Sequence, residues 1–327
     1  MKGYGKASGA GTIINAIATY KGSAFGIDLW TYTEVELGDD FRGIEGEGVI
    51  EQDIPERARA NTDIDIDIDT RLIERCVELV LMKFDMPLRA YVKTRSEIPI
   101  GSGLKSSSAA ANAAVLATLD AIGEGIGGEE KKGISMSTLE VVQIGVDATI
   151  DTGVSITGAF DDACASILGG IVITDNRKRE LIKRVEKTSA VLIFVPRERV
   201  FTADTDVKRS RLVARWVNHA YELALAGRFE EAMTLNGFLY CAALNFDPEP
   251  MFKALECGVN GVSLSGTGPS FVALINDDDG YYSDYDHGDK EVSEKVSEKE
   301  ERLRAAWSEL EVEGRIMKQR INNIGVL

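Results

Sequence analysis

Apolar residues recur with helical spacing in several long segments of the chain. In residues 71–82, Leu72, Cys76, Leu79 and Val80 fall on one side of a helix. The same spacing predicts further helices at residues 106–122, 139–149, 163–168, 207–226, 229–244 and 303–310. Helices of this length supply apolar faces to both halves of the chain.

Short runs rich in β-branched and aromatic residues lie between these helices. They predict strands at residues 25–30, 88–92, 171–174, 190–195 and 315–320. Residues 259–275 predict a strand, a glycine turn and a second strand, and the glycine-rich residues 1–35 predict short strands and turns. The mixture indicates an α+β protein with a boundary near residues 185–190. We therefore expect domains at residues 1–187 and 188–327.

Two segments carry a strong polar bias. Residues 62–70 alternate Asp with Ile, and this period of two is typical of a half-buried strand. The Asp face could hold a cation or could be a solvated edge that resists aggregation, and we favour the edge. Residues 276–301 are rich in acids and predict a surface insertion.

Composition narrows the classes of function. The chain has 327 residues, 44% of them hydrophobic, and a net charge of −16. The apolar content supports a sizeable core, whereas the charge disfavours nucleic acid or an anionic membrane as the main partner. The four cysteines show no CxxC spacing and predict buried thiols in a reducing cytoplasm. The presence of only two histidines disfavours a histidine-centred mechanism.

The most informative stretch stands between a predicted strand and the long alanine-rich helix. It reads Pro99-Ile100-Gly101-Ser102-Gly103-Leu104-Lys105-Ser106-Ser107-Ser108-Ala109. Gly101 and Gly103 lack Cβ atoms, so a phosphate can approach the backbone closely. The helix start offers free N–H groups and Lys105 adds a positive charge. The serine hydroxyls suit phosphate oxygens or Mg²⁺, and the stretch therefore predicts an anion site.

Two common phosphate-binding motifs do not fit this stretch. A P-loop needs a glycine, four residues and then Gly-Lys-Ser/Thr, and that spacing is absent. The glycines also fail the GxGxxG pattern of dinucleotide-binding folds. A serine-rich helix cap is a simpler alternative, but it explains neither the two glycines nor the lysine.

The stretch resembles the second motif of the GHMP kinases, whose usual form is Pro-x-x-x-Gly-Leu-Gly-Ser-Ser-Ala. Lys105 stands here where most members have glycine, and the run from Gly103 to Asn112 is similar to the archaeal shikimate kinase branch. Residues 261–274, with Gly266 and Gly268, resemble the third motif, a glycine-rich turn between strand and helix. Residues 7–29 resemble the first motif, although Ser8-Gly9-Ala10 replaces its Pro-Gly-Lys.

The resemblance implies a two-domain GHMP kinase fold. Its N-terminal half is similar to the second domain of ribosomal protein S5, and its C-terminal half is ferredoxin-like. It also implies that ATP binds the second and third motifs with Mg²⁺. The implied nucleotide-binding residues are those of the loop from Pro99 to Ala109 together with Gly266 and Gly268.

The same resemblance implies roles for residues outside the loop. Mevalonate kinases carry a catalytic Asp seven residues before a glycine that matches Gly169, which points to Asp162 as the base. Homoserine kinases have an Asp-Asn pair here, which keeps Asp161 as the alternative. Lys105 would assist catalysis, and Mg²⁺ would contact Ser107 and Asp151, with Asp147 the second choice to Asp151. The implied substrate contacts are Asp162 with Ser8, Gly9, Asn15, Arg197, Thr202 and Arg209.

We therefore expect ATP-dependent phosphorylation of the 3-hydroxyl of shikimate, on the route to chorismate and aromatic amino acids. The shikimate carboxylate should meet Arg or Lys, which bind carboxylates through charge-assisted hydrogen bonds. The alternatives are homoserine kinase or another GHMP small-molecule kinase and, in a different class, a non-catalytic nucleotide sensor. A monomer or a homodimer in the cytoplasm is expected.

Overall fold

Two β-sheets organise the computed structural model, which describes residues 1–50, 69–125, 136–155, 157–197, 207–276 and 290–326. The strands of the first sheet are β1 (Lys2–Ile14), β2 (Lys21–Leu37), β3 (Ile44–Ile50), β4 (Ala90–Ser96), β5 (Ile171–Asp175) and β6 (Glu180–Val185). Their order is β3-β4-β2-β5-β6, with β1 paired to β2. The β3–β4 pair is parallel and the other pairs are antiparallel.

Helices cover one face of this sheet. They are α1 (Arg71–Lys83), α2 (Ser106–Gly125), α3 (Thr138–Asp151) and α4 (Phe160–Leu168). Glycines in β1 let α2 lie directly on the strand: a Cβ on Gly3 would fall 2.0 Å from Ala121 N, and one on Gly5 would fall 2.3 Å from Ala113 O. This close packing fixes the start of α2, and hence the preceding turn, against the sheet.

The second sheet has the order β10-β7-β9-β8, with every pair antiparallel. Its strands are β7 (Ala190–Pro196), β8 (Gly261–Leu264), β9 (Phe271–Ile275) and β10 (Gly314–Arg320). The helices of this half are α5 (Val207–Leu212), α6 (Ala214–Leu225), α7 (Phe229–Leu244), α8 (Glu249–Glu256) and α9 (Lys290–Ser308). This is the βαββαβ arrangement of a ferredoxin-like fold, as predicted.

Two apolar cores stabilise the protein. One lies between the first sheet and its helices, and includes Val92, Val115 and Phe160. The other lies inside the second half and continues onto the opposite face of the first sheet, where Phe25 and Ile27 join it. The two halves thus share a core. The domain boundary at residue 187 stays a prediction, and it falls between the end of β6 and the start of β7.

Most predicted elements are confirmed, with differences at their ends. Residues 1–35 form most of a long antiparallel hairpin rather than short strands, and α4 begins at Phe160 rather than Ala163. The helix predicted at residues 207–226 divides at Val213, and α9 begins at Lys290, well before residue 303. The sequence patterns missed β3, β6 and α8. Residues 62–68 of the Asp/Ile alternation and residues 277–289 of the acidic segment lie outside the described residues.

The described helices include none that combines the length and the apolar character needed to cross a membrane.

Candidate active site

The turn between β4 and α2 is built from left-handed backbone conformations. Gly101 and Gly103 have φ angles of 64° and 80°, and Lys105 has a φ of 66°. The Ser102 hydroxyl donates to the Pro99 carbonyl at 2.7 Å and holds the first part of the turn closed. A non-glycine residue in this region costs about 1–2 kcal/mol. The structure therefore keeps a lysine where glycine would be unstrained.

The start of α2 offers an environment for an anion. Its first turn contains no acidic residue. The Ser106 and Ser107 side chains are partly exposed and make no hydrogen bond to any residue that the structure describes, whereas Ser108 and Ala109 are buried in the packing of the helix. Free N–H groups, the helix dipole and two available hydroxyls suit phosphate oxygens or Mg²⁺.

The β8–β9 turn, residues 265–270, packs onto the β4–α2 turn. The Ser265 hydroxyl donates to the Gly103 carbonyl at 2.9 Å, and Ser270 N–H donates to the Ser102 carbonyl at 3.2 Å. A Cβ on Gly103 would lie 2.1 Å from the Ser265 carbonyl oxygen, so only glycine fits. The third motif therefore joins two strands, as the pattern of residues 259–275 predicts, and not a strand and a helix, as the resemblance implies.

The end of β1 anchors the β8–β9 turn from the other side. Gly266 N–H donates to Thr12 Oγ1 at 2.9 Å, and Asn15 Nδ2 donates to the Gly266 carbonyl at 2.6 Å. The Asn15 backbone N–H donates to Asn236 Oδ1 on α7 at 3.1 Å. All three motifs thus meet in one place. The side-chain amide of Asn15 positions Gly266 through its hydrogen bond.

A buried ion pair lies where these turns meet α4. Lys105 Nζ is 3.1 Å from Asp162 Oδ1, and the two side chains are only 10% and 14% exposed. Burial raises the pKa of Asp162, because the charged form loses solvation, while the Lys105 ammonium opposes that rise. A Cβ on Gly266 would lie 2.8 Å from Lys105 Nζ, so the lysine reaches across to the third motif. Lys105 therefore places a positive charge between the β4–α2 turn and the carboxylate of Asp162.

Asp161 lies deeper than its neighbour Asp162. Its Oδ1 accepts from Asn176 Nδ2 at 2.7 Å, and the Thr174 hydroxyl donates to Asn176 Oδ1 at 2.7 Å. A Cβ on Gly22 would fall 2.4 Å from Asp161 Oδ2, so this carboxyl fills the space above β2. Burial, followed by the negative charge of Asp162, raises the pKa of Asp161 to about 7.

This raised pKa makes a testable contribution to stability. The folded protein holds the Asp161 proton up to about pH 7, whereas an unfolded Asp releases it near its ordinary pKa of about 3.9. The stabilisation is therefore complete below the unfolded pKa and is lost as pH rises through the folded pKa. Asp161→Asn, which is always neutral, should be more stable than the natural protein at pH 8 by roughly 2–4 kcal/mol.

At pH 5 the difference between Asp161→Asn and the natural protein should be much smaller. Urea unfolding of both proteins at pH 5 and pH 8 measures the change. Asp39→Asn, at a carboxylate that is 94% exposed, serves as the matched acid-to-amide control. An equal difference at the two pH values would show that Asp161 is ionised throughout.

Two residues of the first motif lie beneath the turn. Ser8 is fully buried and its hydroxyl donates to the Ser166 carbonyl at 3.1 Å. A Cβ on Gly9 would lie 3.1 Å from the Leu104 carbonyl oxygen. Both residues support α4 and the turn from below. Both are buried in this conformation, and their role as substrate contacts stays a prediction.

The expected metal-binding carboxylates are engaged elsewhere. Asp151 at the end of α3 binds Arg75 of α1 at 2.7 Å, and Asp147 binds Arg179 at 2.6 Å. Asp151 would have to break its ion pair with Arg75 to bind a metal, so its role as a metal ligand stays a prediction. The described residues hold no group of three or more His, Cys, Asp or Glu side chains placed to bind a metal.

The expected substrate cations lie in the second half. Arg197 follows β7 at the same end of its sheet as the β8–β9 turn, but its 82% exposed side chain pairs with Glu313. Arg209 of α5 donates to the Ala242 carbonyl at 2.9 Å. Thr202 lies outside the described residues. None of these contacts tests the predicted binding of a substrate.

Sequence patterns missed four side chains that position the site. They are Thr12, Asn176, Asn236 and Ser265. Ser265 stands inside the third motif and Thr12 inside the first, so the motifs could have indicated them. Nothing local marks Asn176 or Asn236, because their partners are distant in sequence.

The chain is similar in sequence to known kinases over most of its length. A sequence profile of the GHMP kinases N terminal domain matches residues 71–170. A protein of Methanosarcina mazei named shikimate kinase is 54% identical over 327 residues, covering 100% of this chain and 97% of its own. One of Halobacterium salinarum with the same name is 43% identical, covering 86% of this chain and 90% of its own.

Solved structures show the same fold at low sequence identity. Homoserine kinase from Cytophaga hutchinsonii has a TM-score of 0.66 and 18% identity, over 99% of this chain and 97% of its own. Methanococcus jannaschii mevalonate kinase has a TM-score of 0.65 and 14% identity, over 98% of each chain. The full-length identity to proteins of archaea and the shared architecture lead to one conclusion: the chain belongs to the archaeal shikimate kinase family of the GHMP kinase superfamily.

Proposed function

We propose that the protein transfers the γ-phosphate of ATP to the 3-hydroxyl of shikimate, giving shikimate 3-phosphate and ADP. The main support for phosphoryl transfer is the buried ion pair of Lys105 and Asp162. It lies beside a turn that is suited to binding phosphate. The acceptor comes from the name of the relatives that match the whole chain. The reaction supplies chorismate and aromatic amino acid synthesis in the cytoplasm, where buried free cysteines stay reduced.

The position of each residue in the site suggests its role in phosphoryl transfer. The turn from Pro99 to Ser107 holds the triphosphate through the free N–H groups at the start of α2. Gly266 and Gly268, whose own N–H groups donate to Thr12 Oγ1 and the Ser265 carbonyl, let the nucleotide approach because they lack side chains. Lys105 stabilises the negative charge on the transferred group, which is the main contribution a protein makes to this reaction. Asp162 orients the acceptor hydroxyl and takes its proton. Asp161 is the alternative base, but its hydrogen bond to Asn176 suits a supporting role better.

Ser107, with Asp151 if it leaves Arg75, would hold Mg²⁺ beside the phosphates. When bound, the ion neutralises charge on the phosphate oxygens. Mg²⁺ keeps several waters and relies on substrate phosphates for much of its coordination. The small number of carboxylates at this turn is consistent with Mg²⁺ that is coordinated mainly by water and substrate phosphates. Arg197, Thr202 and Arg209 stay proposed substrate contacts from the second half.

The acceptor is tested by a panel of substrates with Mg·ATP. A coupled assay of ADP release should show turnover with shikimate and only background with homoserine and mevalonate. Mass spectrometry of the product should show one added phosphoryl group. Turnover with homoserine but not with shikimate would show that homoserine is the acceptor. Nucleotide binding without turnover of any acceptor would favour a non-catalytic sensor. The ion pair at the phosphate turn argues against a sensor.

A further inference from the structure

Two cations lie in segments that adjoin Asp161, and their side chains form no ion pair within the part of the chain that the structure describes. They are Lys21, at the start of β2, and Arg177, just after β5. Each lies over an aromatic ring instead: the Arg177 guanidinium is 4.7 Å from the centre of the Tyr20 ring, and Lys21 Nζ is 5.3 Å from that of Tyr221.

Both cations are held close to Asp161 by the backbone. Lys21 precedes Gly22, above which the Asp161 carboxyl lies. Arg177 follows Asn176, whose side chain donates to Asp161 and whose backbone N–H donates to the Tyr20 carbonyl at 2.7 Å. The two segments therefore lie against Asp161, the neighbour of the proposed base Asp162.

The neighbouring basic residues of the same turn are engaged with acids. Lys178 lies 3.9 Å from both Asp175 and Glu180, and Arg179 pairs with Asp147 at 2.6 Å. Arg177 is also exposed, so a ligand can reach its guanidinium. The ring of Tyr20 supports one face of that group and leaves its edge of N–H donors available. Such an edge matches a carboxylate in a forked, two-bond contact.

We propose that Arg177, assisted by Lys21, binds the carboxylate of the acceptor. This inference rests on the proposed function, because shikimate is the carboxylate-bearing substrate. It places the recognition of the acid on the β2 and β5 segments rather than on Arg197 and Arg209. Arg197 pairs with Glu313 in this structure and Arg209 donates to a backbone carbonyl, so both are already engaged.

Steady-state kinetics of single variants test the assignment. Arg177→Gln should raise KM for shikimate by about 10- to 100-fold, the range for a lost hydrogen bond to a charged group. KM for ATP should stay unchanged. Lys21→Gln should act in the same direction with a smaller effect, and Arg177→Lys should fall between Arg177→Gln and the natural protein. Lys178→Gln removes the same charge from the adjacent position and should change neither KM.

Shikimate methyl ester, which lacks the charge, supplies a second measurement. The natural protein should favour shikimate over the ester, and Arg177→Gln should lose most of that preference while Lys178→Gln keeps it. A shikimate KM in Arg177→Gln equal to that of Lys178→Gln would overturn the assignment, as would a raised KM only in Arg197→Gln or Arg209→Gln. If Arg177→Gln does not fold, Arg177→Lys and Lys21→Gln decide by the same comparison. Failure of the natural protein to phosphorylate shikimate would instead refute the proposed function.

Discussion

Replacing Asp162 with asparagine should lower kcat by about 10²- to 10⁴-fold, the usual contribution of a general base. Asparagine has nearly the same shape but cannot take a proton from the acceptor hydroxyl. The affinity for ATP should change little, because the proposed phosphate contacts come from the turn and not from α4. Steady-state turnover with shikimate measures the first effect, and equilibrium binding of an ATP analogue measures the second.

Two comparisons make this result specific to Asp162. Asp39→Asn, an acid-to-amide change at an exposed side chain paired with Arg89, should leave kcat unchanged. Asp161→Asn separates the two candidate bases. A strong loss of turnover in Asp161→Asn with near-normal turnover in Asp162→Asn would transfer the role to Asp161. Normal turnover in both variants would remove a carboxylate base from the mechanism.

Replacing Gly103 with alanine should disrupt both nucleotide binding and stability. The added Cβ would lie 2.1 Å from the Ser265 carbonyl oxygen and 2.9 Å from the Gly268 carbonyl oxygen. Both are backbone atoms, so the two turns must separate. We expect KM for ATP to rise by about tenfold or more, because the separated turns no longer hold the nucleotide in place. A tenfold change corresponds to about 1.4 kcal/mol of binding free energy. Kinetics with varied ATP and thermal unfolding measure the two effects.

Gly227→Ala is the matched control for this change. Gly227 has a φ of +82°, close to the +80° of Gly103, but no heavy atom lies within 4 Å of its added Cβ. Both variants therefore carry the left-handed strain of about 1–2 kcal/mol. Only Gly103→Ala carries the clash between turns. Equal effects of the two variants on KM for ATP would show that the contact between the turns has no part in binding.

Local patterns predicted the second half well. The helix predicted at residues 229–244 has the same bounds as α7, and the strand-turn-strand prediction for residues 259–275 corresponds to β8 and β9. These segments combine a clear period with glycines at their turns, so the local preference and the fold agree. The hairpin of β1 and β2 was harder to predict. Its glycines resemble turn signals, but they are present because α2 lies against the strand.

The site was predictable where one motif supplies it and not where distant segments meet. The turn from Pro99 to Ser107 could be identified from its own residues. The unusual lysine at position 105 could also be noticed, but its reach to Asp162 depends on how α4 packs. The Asn176 contact with Asp161 and the burial of Ser8 depend on strand pairing in the same way. Tertiary contacts of this kind leave no periodic signal in the sequence.

A crystal structure with a non-hydrolysable ATP analogue and shikimate tests the proposed site most directly. The triphosphate should lie against the N–H groups between Gly101 and Ser107, with Lys105 beside its terminal phosphate and the shikimate 3-hydroxyl facing Asp162. A triphosphate bound elsewhere, with the turn before α2 making no contact to it, would contradict the proposed site and the mechanism together.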